Sequence, residues 1–390
     1  MFHLAQLTPN LGNYFKATFE SRPNRFIVMC KTSSGETIRT YLPNPGRLHE
    51  LFLPGVTLYV SPATQEPGKP PRKTAFTTIA VERDGLPIFL HTHQTNDIVE
   101  LLLKNKAIPA LKGAQIVKRE VKVGRSRFDF LLQHKKKELY LEVKSCTLFG
   151  DKVAMFPDAV TERGRRHLLE LAEMAKEGIN TAVVFAIQSP RLKWFMPDYH
   201  TDLAFSKTLL NVRSQVKILP IAIPWTKNLT IKTPAKELVI PWDYLESEVV
   251  DSGSYILLLE LKKKKTCKVG SLGKLSFPKG HYLYVGSAMA NLSARIARHK
   301  RKDGKKFHWH IDFLREIADD FIALPIRSSK REECLLSETV GNCFSESHLG
   351  FGSSDCHCPS HLYYSQDNPL HLRKFHDLLE SFRMREPTKN

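Results

Sequence analysis

Two runs, SRFDFLL at residues 126–132 and YLEVK at residues 140–144, interleave apolar side chains with charged ones, and this alternation limits the fold more than any other feature of the chain. Successive side chains of a strand point to opposite faces, so a period of two marks a half-buried strand. Residues 133–138 are polar and suit a hairpin loop. A turn centred between Lys135 and Lys136 sets Asp129 opposite Glu142 and puts Lys144 on the same face. Phe128, Phe130, Leu132, Leu141 and Val143 then share the other face, which is expected to bury against a helix.

Two carboxylates and an ammonium thereby converge on one surface. Neighbouring carboxylates repel unless a cation lies between them. Hard oxygen ligands suit Mg2+ or Mn2+. Such an ion polarises a phosphate oxygen and lowers the pKa of bound water. Lys144 is placed to orient that water or to offset charge in the transition state. The same spacing also fits an exposed strand face with an ordinary Glu–Lys pair. The order of elements, with an acid on one strand, Glu-x-Lys on the next and helices on both sides, favours a site.

At 390 residues the chain is expected to hold two or three domains. Residues 26–31, 37–41, 56–61 and 75–81 read as short strands between Gly and Pro turns, which suits a small barrel, an OB-fold being one option. Residues 96–105 read as a helix capped by Asn96. Residues 161–177 read as a second, with Leu168, Leu171, Ala172 and Ala175 on one face, and 181–187 as a buried strand. Residues 226–251 read as a linker, introduced by Pro224 and punctuated by Pro234 and Pro241. The expected organisation is a multidomain α+β and α/β chain: a small β-barrel at 1–88, a mixed sheet with flanking helices at 89–225, the linker, and a third α/β domain at 252–390.

Charge supplies the partner class. The chain carries 58 Lys+Arg against 40 Asp+Glu, a net of +18. This balance points to nucleic acid, and no strongly amphipathic basic helix favours a membrane surface instead. Residues 251–310 hold 14 Lys or Arg and 3 Asp or Glu, so one strongly positive surface is expected there. No apolar run reaches the roughly 18 residues of a membrane span. The first ten residues lack a signal-peptide pattern, and seven Cys, an odd number, suit reduced thiols in a cytoplasmic protein.

LPNPGRLHELFLPG, SRFDFLL, YLEVKSCTL and FPDAVTERGRRHLLEL, in this order over about residues 1–225, resemble the sugar fermentation stimulation protein A family. The resemblance implies an OB-like N-terminal part and a PD-(D/E)XK nuclease-like part. In that fold Asp129, Glu142 and Lys144 match the acid and Glu-x-Lys positions. It also implies nucleic-acid binding and a regulatory association with sugar metabolism. TERGRRH places Arg163, Arg165, Arg166 and His167 near a helix start, where forked hydrogen bonds can grip phosphates, or where they form a solvated helix face. Pro43-Asn44-Pro45-Gly46-Arg47 reads as a rigid turn presenting Arg47, and the family match extends this to a DNA contact.

The third domain holds a second constellation. Gly253-Ser254-Tyr255, Tyr284-Val285-Gly286, a helical Arg295, HWHIDFL and GFGSSDCHCPSHLYY resemble a GIY-YIG-like domain family of unknown function over about residues 252–366. The resemblance implies Tyr255, Tyr284 and Arg295 as site residues with an acidic metal ligand, Glu333 or alternatively Glu338. Ser254 stands where the superfamily has Ile. One tyrosine is expected to help deprotonate water, and two tyrosines flanking strands also suit ordinary core packing. A helix over 292–302 would align Arg295, Arg298, His299 and Lys302 on a face suited to a phosphodiester backbone. Cys356, Cys358 and His361 offer soft ligands, and His308 or His310 would complete four for zinc. The spacing is not a standard zinc spacing and reads first as a structural thiol cluster.

The leading expectation is a DNA-binding protein, with DNA favoured over RNA, carrying a Mg2+- or Mn2+-dependent nuclease site. The rival is a non-catalytic DNA-binding regulator linked to sugar fermentation. A scaffold for acidic proteins is a third.

Overall fold

The computed structural model describes residues 6–63, 73–301 and 306–387. They form two compact units, one holding the described residues among 1–198, 204–242 and 386–390, the other those among 199–203 and 243–385. Among the described residues no helix is long and apolar enough to cross a membrane.

The first unit begins with a barrel. Strands Phe15–Asn24, Ile27–Lys31, Thr37–Tyr41, Thr57–Pro62 and Phe76–Arg83 pair antiparallel around it, and Thr37–Tyr41 closes it by pairing parallel with Phe76–Arg83. A sheet this small curls shut because strand twist leaves no flat alternative, and closure removes exposed edges. Thr40 and Thr78 meet near this closure, both fully buried, with hydroxyls 2.7 Å apart.

A mixed six-stranded sheet follows, in the order Lys236–Glu237, Lys217–Ala222, Asn180–Ile187, Lys137–Cys146, Ser126–His134, Gln115–Val123. The second, third and fourth of these strands are parallel; the second and third are nearly all apolar, as strands covered on both faces must be, whereas the fourth carries Glu142 and Lys144. Helix Thr95–Lys104 covers one face through Ile98, Val99 and Leu102, packed with Phe130, Leu132 and Leu141. Helix Glu162–Lys176 covers the other through Leu168 and Leu171. That second core also contains Phe19, Phe52 and Val60 of the barrel, so barrel and sheet are packed through one continuous interior.

Residues 226–251 are not a free linker. Leu229, Ile231, Ala235, Leu238 and Leu245 are buried, Ile231–Lys232 pairs with Gln6–Leu7, and Lys236–Glu237 edges the sheet. Strands of two residues carry no readable period, which is why the prolines dominated the sequence pattern.

In the second unit, strands Asp320–Arg327, Gly253–Leu261, Gly280–Ala288, Leu362–Ser365 and Ser345–Glu346 form an antiparallel sheet. Alternation along Gly253–Leu261 divides two cores. Tyr255, Leu257 and Leu259 pack with helices Leu292–Lys300 and His310–Ile317, whereas Ile256 and Leu258 pack with Glu333–Gly341 and Arg373–Arg383.

Candidate active site

Ser126–His134 and Lys137–Cys146 pair from Lys137 opposite His134 to Leu141 opposite Phe130. This is the register that a turn centred between Lys135 and Lys136 dictates. Beyond that rung the strands part. Ser126–His134 stays with Gln115–Val123 and Lys137–Cys146 stays with Asn180–Ile187, leaving a fork. Asp129 fills it. Its Oδ2 accepts from the Val143 amide and its Oδ1 from Asn96 Nδ2, each at 2.7 Å. A carboxylate thus replaces the missing backbone acceptor, a stronger bond than the one lost. Asn96 is not the helix cap expected of it, since Gln94 holds that position. Within the first turn its amide faces Asp129 instead.

The fork also divides the apolar face. Phe130, Leu132, Leu141 and Val143 lie together beneath helix Thr95–Lys104. Phe128 does not join them: it belongs to the other core, with ring centroids 6.4 Å from Tyr140 and 6.1 Å from His167. Alternation holds only while the pleat is shared.

Glu142 is 4% exposed. Its Oε1 accepts from Lys144 Nζ and lies the same 2.5 Å from His167 Nδ1. Its Oε2 is buried and has no hydrogen-bond partner. Burial alone would raise this carboxyl, but the His167 bond and the Lys144 charge outweigh it and hold it below the ordinary range. Asp129 moves the other way. Burial first, and the Glu142 charge second, push it up to about 6. Two neighbouring acids driven apart in this manner are a recurrent signature of catalytic centres.

His167 is 2% exposed and turns inward, unlike the exposed arginines of TERGRRH. Its Nε2 lies 3.4 Å from Arg163 Nε, which leaves Nδ1 to carry the proton toward Glu142. The signal was present in the sequence: His167 falls on the stripe of Gly164, Leu168 and Leu171, the buried face of its helix. Together these residues fit a hard divalent cation. Glu142 Oε2 is an orphaned buried acceptor, and each Asp129 oxygen keeps a lone pair beyond the one it uses.

In the second unit, Tyr255 and Tyr284 are 2% and 6% exposed. The Tyr255 hydroxyl lies 3.0 Å from His299 Nε2. Its ring presses on Gly286, where any Cβ would fall 2.5 Å from the phenol oxygen. Burial pushes both phenols above their usual range, which favours their neutral form. Arg295 stacks on Trp309, 4.2 Å from its ring centroid, and donates to the Ser287 carbonyl at 3.5 Å. Glu333 accepts from the Ser287 hydroxyl, and its Oε1 lies 3.4 Å from His361 Nδ1. Tyr255, Tyr284, Arg295 and Glu333 therefore converge, while Glu338 is exposed along the helix.

Among the described residues the expected basic face is not formed. The helix ends at Lys300, and Lys302 lies outside the described residues. Arg298 is engaged with Asp312 by bonds of 3.0 and 2.9 Å and stacks on Trp309, and His299 is fully buried. An uncompensated buried Asp312 would be costly, so its carboxylate commandeers the nearest guanidinium. The thiol cluster is also composed differently. Cys356, Cys358 and His361 meet Cys334, whereas His310 Nδ1 accepts from the Gly352 amide at 3.1 Å.

Three family models divide the chain in the same order. Residues 21–90 match the SfsA N-terminal OB domain, 93–228 the sugar fermentation stimulation protein RE domain, and 254–384 a domain of unknown function, DUF123. A sugar fermentation stimulation protein homolog of Methanothermobacter thermautotrophicus is 33% identical over 234 residues, covering 60% of this chain and 95% of that protein. The chain belongs to the sugar fermentation stimulation protein family. A second homolog, from Methanosphaera stadtmanae, is 41% identical over 217 residues, covering 55% of this chain and 88% of its own. The structure of Pyrococcus furiosus SfsA in complex with Ca2+ superimposes with a TM-score of 0.54 at 28% identity, covering 60% of this chain and 99% of that one.

The family's LPNPGR segment is a built turn. Asn44 Oδ1 accepts from the Gly46 amide at 2.9 Å, and a Cβ at Gly46 would sit 2.0 Å from Asp158 Oδ2, so any larger residue would displace that carboxylate. Arg22, which the sequence pattern did not single out, donates at 2.8 Å to the carbonyls of Arg25 and Gly46 and also to that of Arg47. The Arg47 side chain is exposed. Arg163, Arg165 and Arg166 are exposed in the first turn of their helix, where Thr161 caps the Gly164 amide at 3.0 Å.

Proposed function

We propose that the chain binds DNA in preference to RNA and hydrolyses phosphodiester bonds at Asp129, Glu142 and Lys144 with Mg2+ or Mn2+. The observation that carries this reading is the buried, unpartnered Glu142 Oε2 beside an acid whose carboxyl is raised by burial first and by the Glu142 charge second. When bound, the ion supplies Lewis-acid stabilisation of the phosphate and a water of lowered pKa. The remaining work falls to the chain. Lys144 and His167 both hold Glu142 Oε1, which turns Oε2 toward the ligand. Asp129, pinned by Asn96 and Val143, supplies the second oxygen. Lys144 sets positive charge against the phosphorane-like transition state, in which a water oxygen bonds to phosphorus as the ester P–O bond breaks. Arg163 is linked to this centre through His167, and Arg165 and Arg166 extend a cationic rim that suits flanking phosphates. Arg47 adds a further exposed cation. The Ca2+ described for the Pyrococcus furiosus relative supports a hard divalent ion. Tyr255, Tyr284, Arg295 and Glu333 form a second candidate site, suited to binding more than to cutting because its phenols stay protonated.

Labelled DNA and RNA incubated with the full chain, with Mg2+ or Mn2+ and then EDTA, test the reading. Metal-dependent cutting that disappears in Glu142→Ala is expected. Salt-sensitive DNA binding without cutting under any metal would replace it with the non-catalytic regulator of sugar fermentation.

A further inference from the structure

We propose that Cys334, Cys356, Cys358 and His361 bind one zinc ion that positions Glu333. The ligand atoms of the four side chains all lie within 4.8 Å of one another. Cys356 Sγ lies 3.4 Å from His361 Nε2. With Zn–S near 2.3 Å and Zn–N near 2.0 Å, the edges of a tetrahedron are roughly 3.5–3.8 Å; the Cys356–His361 edge is already that short, and the others need close by no more than about 1 Å. Three sulfurs and one imidazole exclude Mg2+, Mn2+ and Ca2+, which require oxygen, and Cys3His is an established zinc ligand set. With four protein ligands, no coordination position remains for substrate, so the ion is structural.

The orientation of His361 argues most strongly. Its ring is 1% exposed, with Nε2 toward Cys356 and Nδ1 toward Glu333 Oε1. A metal on Nε2 fixes the tautomer, placing the proton on Nδ1, where it faces a carboxylate. This is the carboxylate–histidine–metal arrangement that orients ligands and raises their basicity. Glu333 adjoins Cys334 in the chain and also accepts from Ser287. The ion thus ties the start of helix Glu333–Gly341 to the loop that leads into strand Leu362–Ser365, and Glu333 is held between Ser287 and the metal's own histidine. The spacing Cys-x-Cys-x2-His conceals this from the sequence because the fourth ligand comes from the helix start far upstream.

The test measures metal content in the full chain purified without chelator, with cobalt substitution as a second readout. About one zinc per chain is expected, and cobalt should give the intense absorption of tetrahedral thiolate coordination. Cys334→Ser and Cys358→Ser should each lose the ion, and Glu333→Gln should weaken zinc binding about tenfold in competition with a chromophoric chelator. A chain that takes up no zinc, a cobalt form without thiolate charge transfer, a disulfide among the three cysteines, or zinc content unchanged in both cysteine variants would each overturn the proposal. The cobalt spectrum of the unaltered chain decides the matter even where a variant fails to fold.

Discussion

The two candidate centres share a chemistry of acids and cations but differ in how completely their polar atoms are satisfied. Around Asp129 and Glu142, one buried carboxylate oxygen lacks any partner and a neighbouring acid is raised to about 6. Around Tyr255 and Glu333, the groups are engaged with each other: phenol with imidazole, carboxylate with hydroxyl, guanidinium with indole. Leaving a buried acceptor unmade costs about 1–3 kcal/mol, and more when it is charged. A fold retains that cost where a ligand repays it, so Glu142 Oε2 is suited to an ion, whereas in the second centre the Glu333 carboxylate already accepts from Ser287 and the unsatisfied atom is His361 Nδ1.

The sharpest way to break this contrast is Glu142→Ala. It should lower metal-dependent cleavage about a thousandfold, measured as initial rate on labelled DNA at saturating Mn2+. Retained cleavage would move the chemistry elsewhere. His167→Ala should weaken divalent-metal affinity about tenfold by titration calorimetry, because Oε1 loses one of its two anchors and Oε2 its fixed direction. An unchanged affinity would reduce His167 to packing. Asp129→Asn sharpens the comparison from the stability side. A carboxyl raised to about 6 in the fold is favoured there in its neutral form, so stability of the metal-free chain should fall as pH rises from about 4 to about 6. Removing the charge should therefore stabilise the metal-free chain at neutral pH by about 1–2 kcal/mol while abolishing metal binding, read by denaturant titration with and without Mg2+. Tyr255→Phe should have the smallest effect, a loss of about 1 kcal/mol from the hydroxyl bonded to His299, read the same way.

Much of the first centre was legible because it rests on local periodicity. The turn at Lys135 and Lys136 fixes the rungs as far as Leu141 opposite Phe130, and Asp129, Glu142 and Lys144 follow from counting. The fork was not legible. Whether two strands stay together depends on what each meets on its far side, Val121 opposite Phe128 and Val183 opposite Glu142, and no local pattern records that. The role of Asn96 was hidden for the same reason, and the stripe that marks His167 as buried does not name Glu142 as its partner. In the second unit, Arg298 matched a helical stripe, but stripe position says nothing about the buried Asp312 that claims it. The linker reading failed because prolines signal local breaks, whereas Leu229 and Ile231 are held by distant neighbours.

The interior shared by barrel and mixed sheet bears on biogenesis. The barrel leaves the ribosome first, with Phe19 and Phe52 awaiting Leu168, Leu171 and Phe205, which are translated later. At roughly 5–20 residues per second, the nascent chain carries a bare greasy flank for several seconds. A gene fragment cut between residues 90 and 93 is therefore expected to expose that flank and to aggregate on expression, because barrel and sheet share one interior.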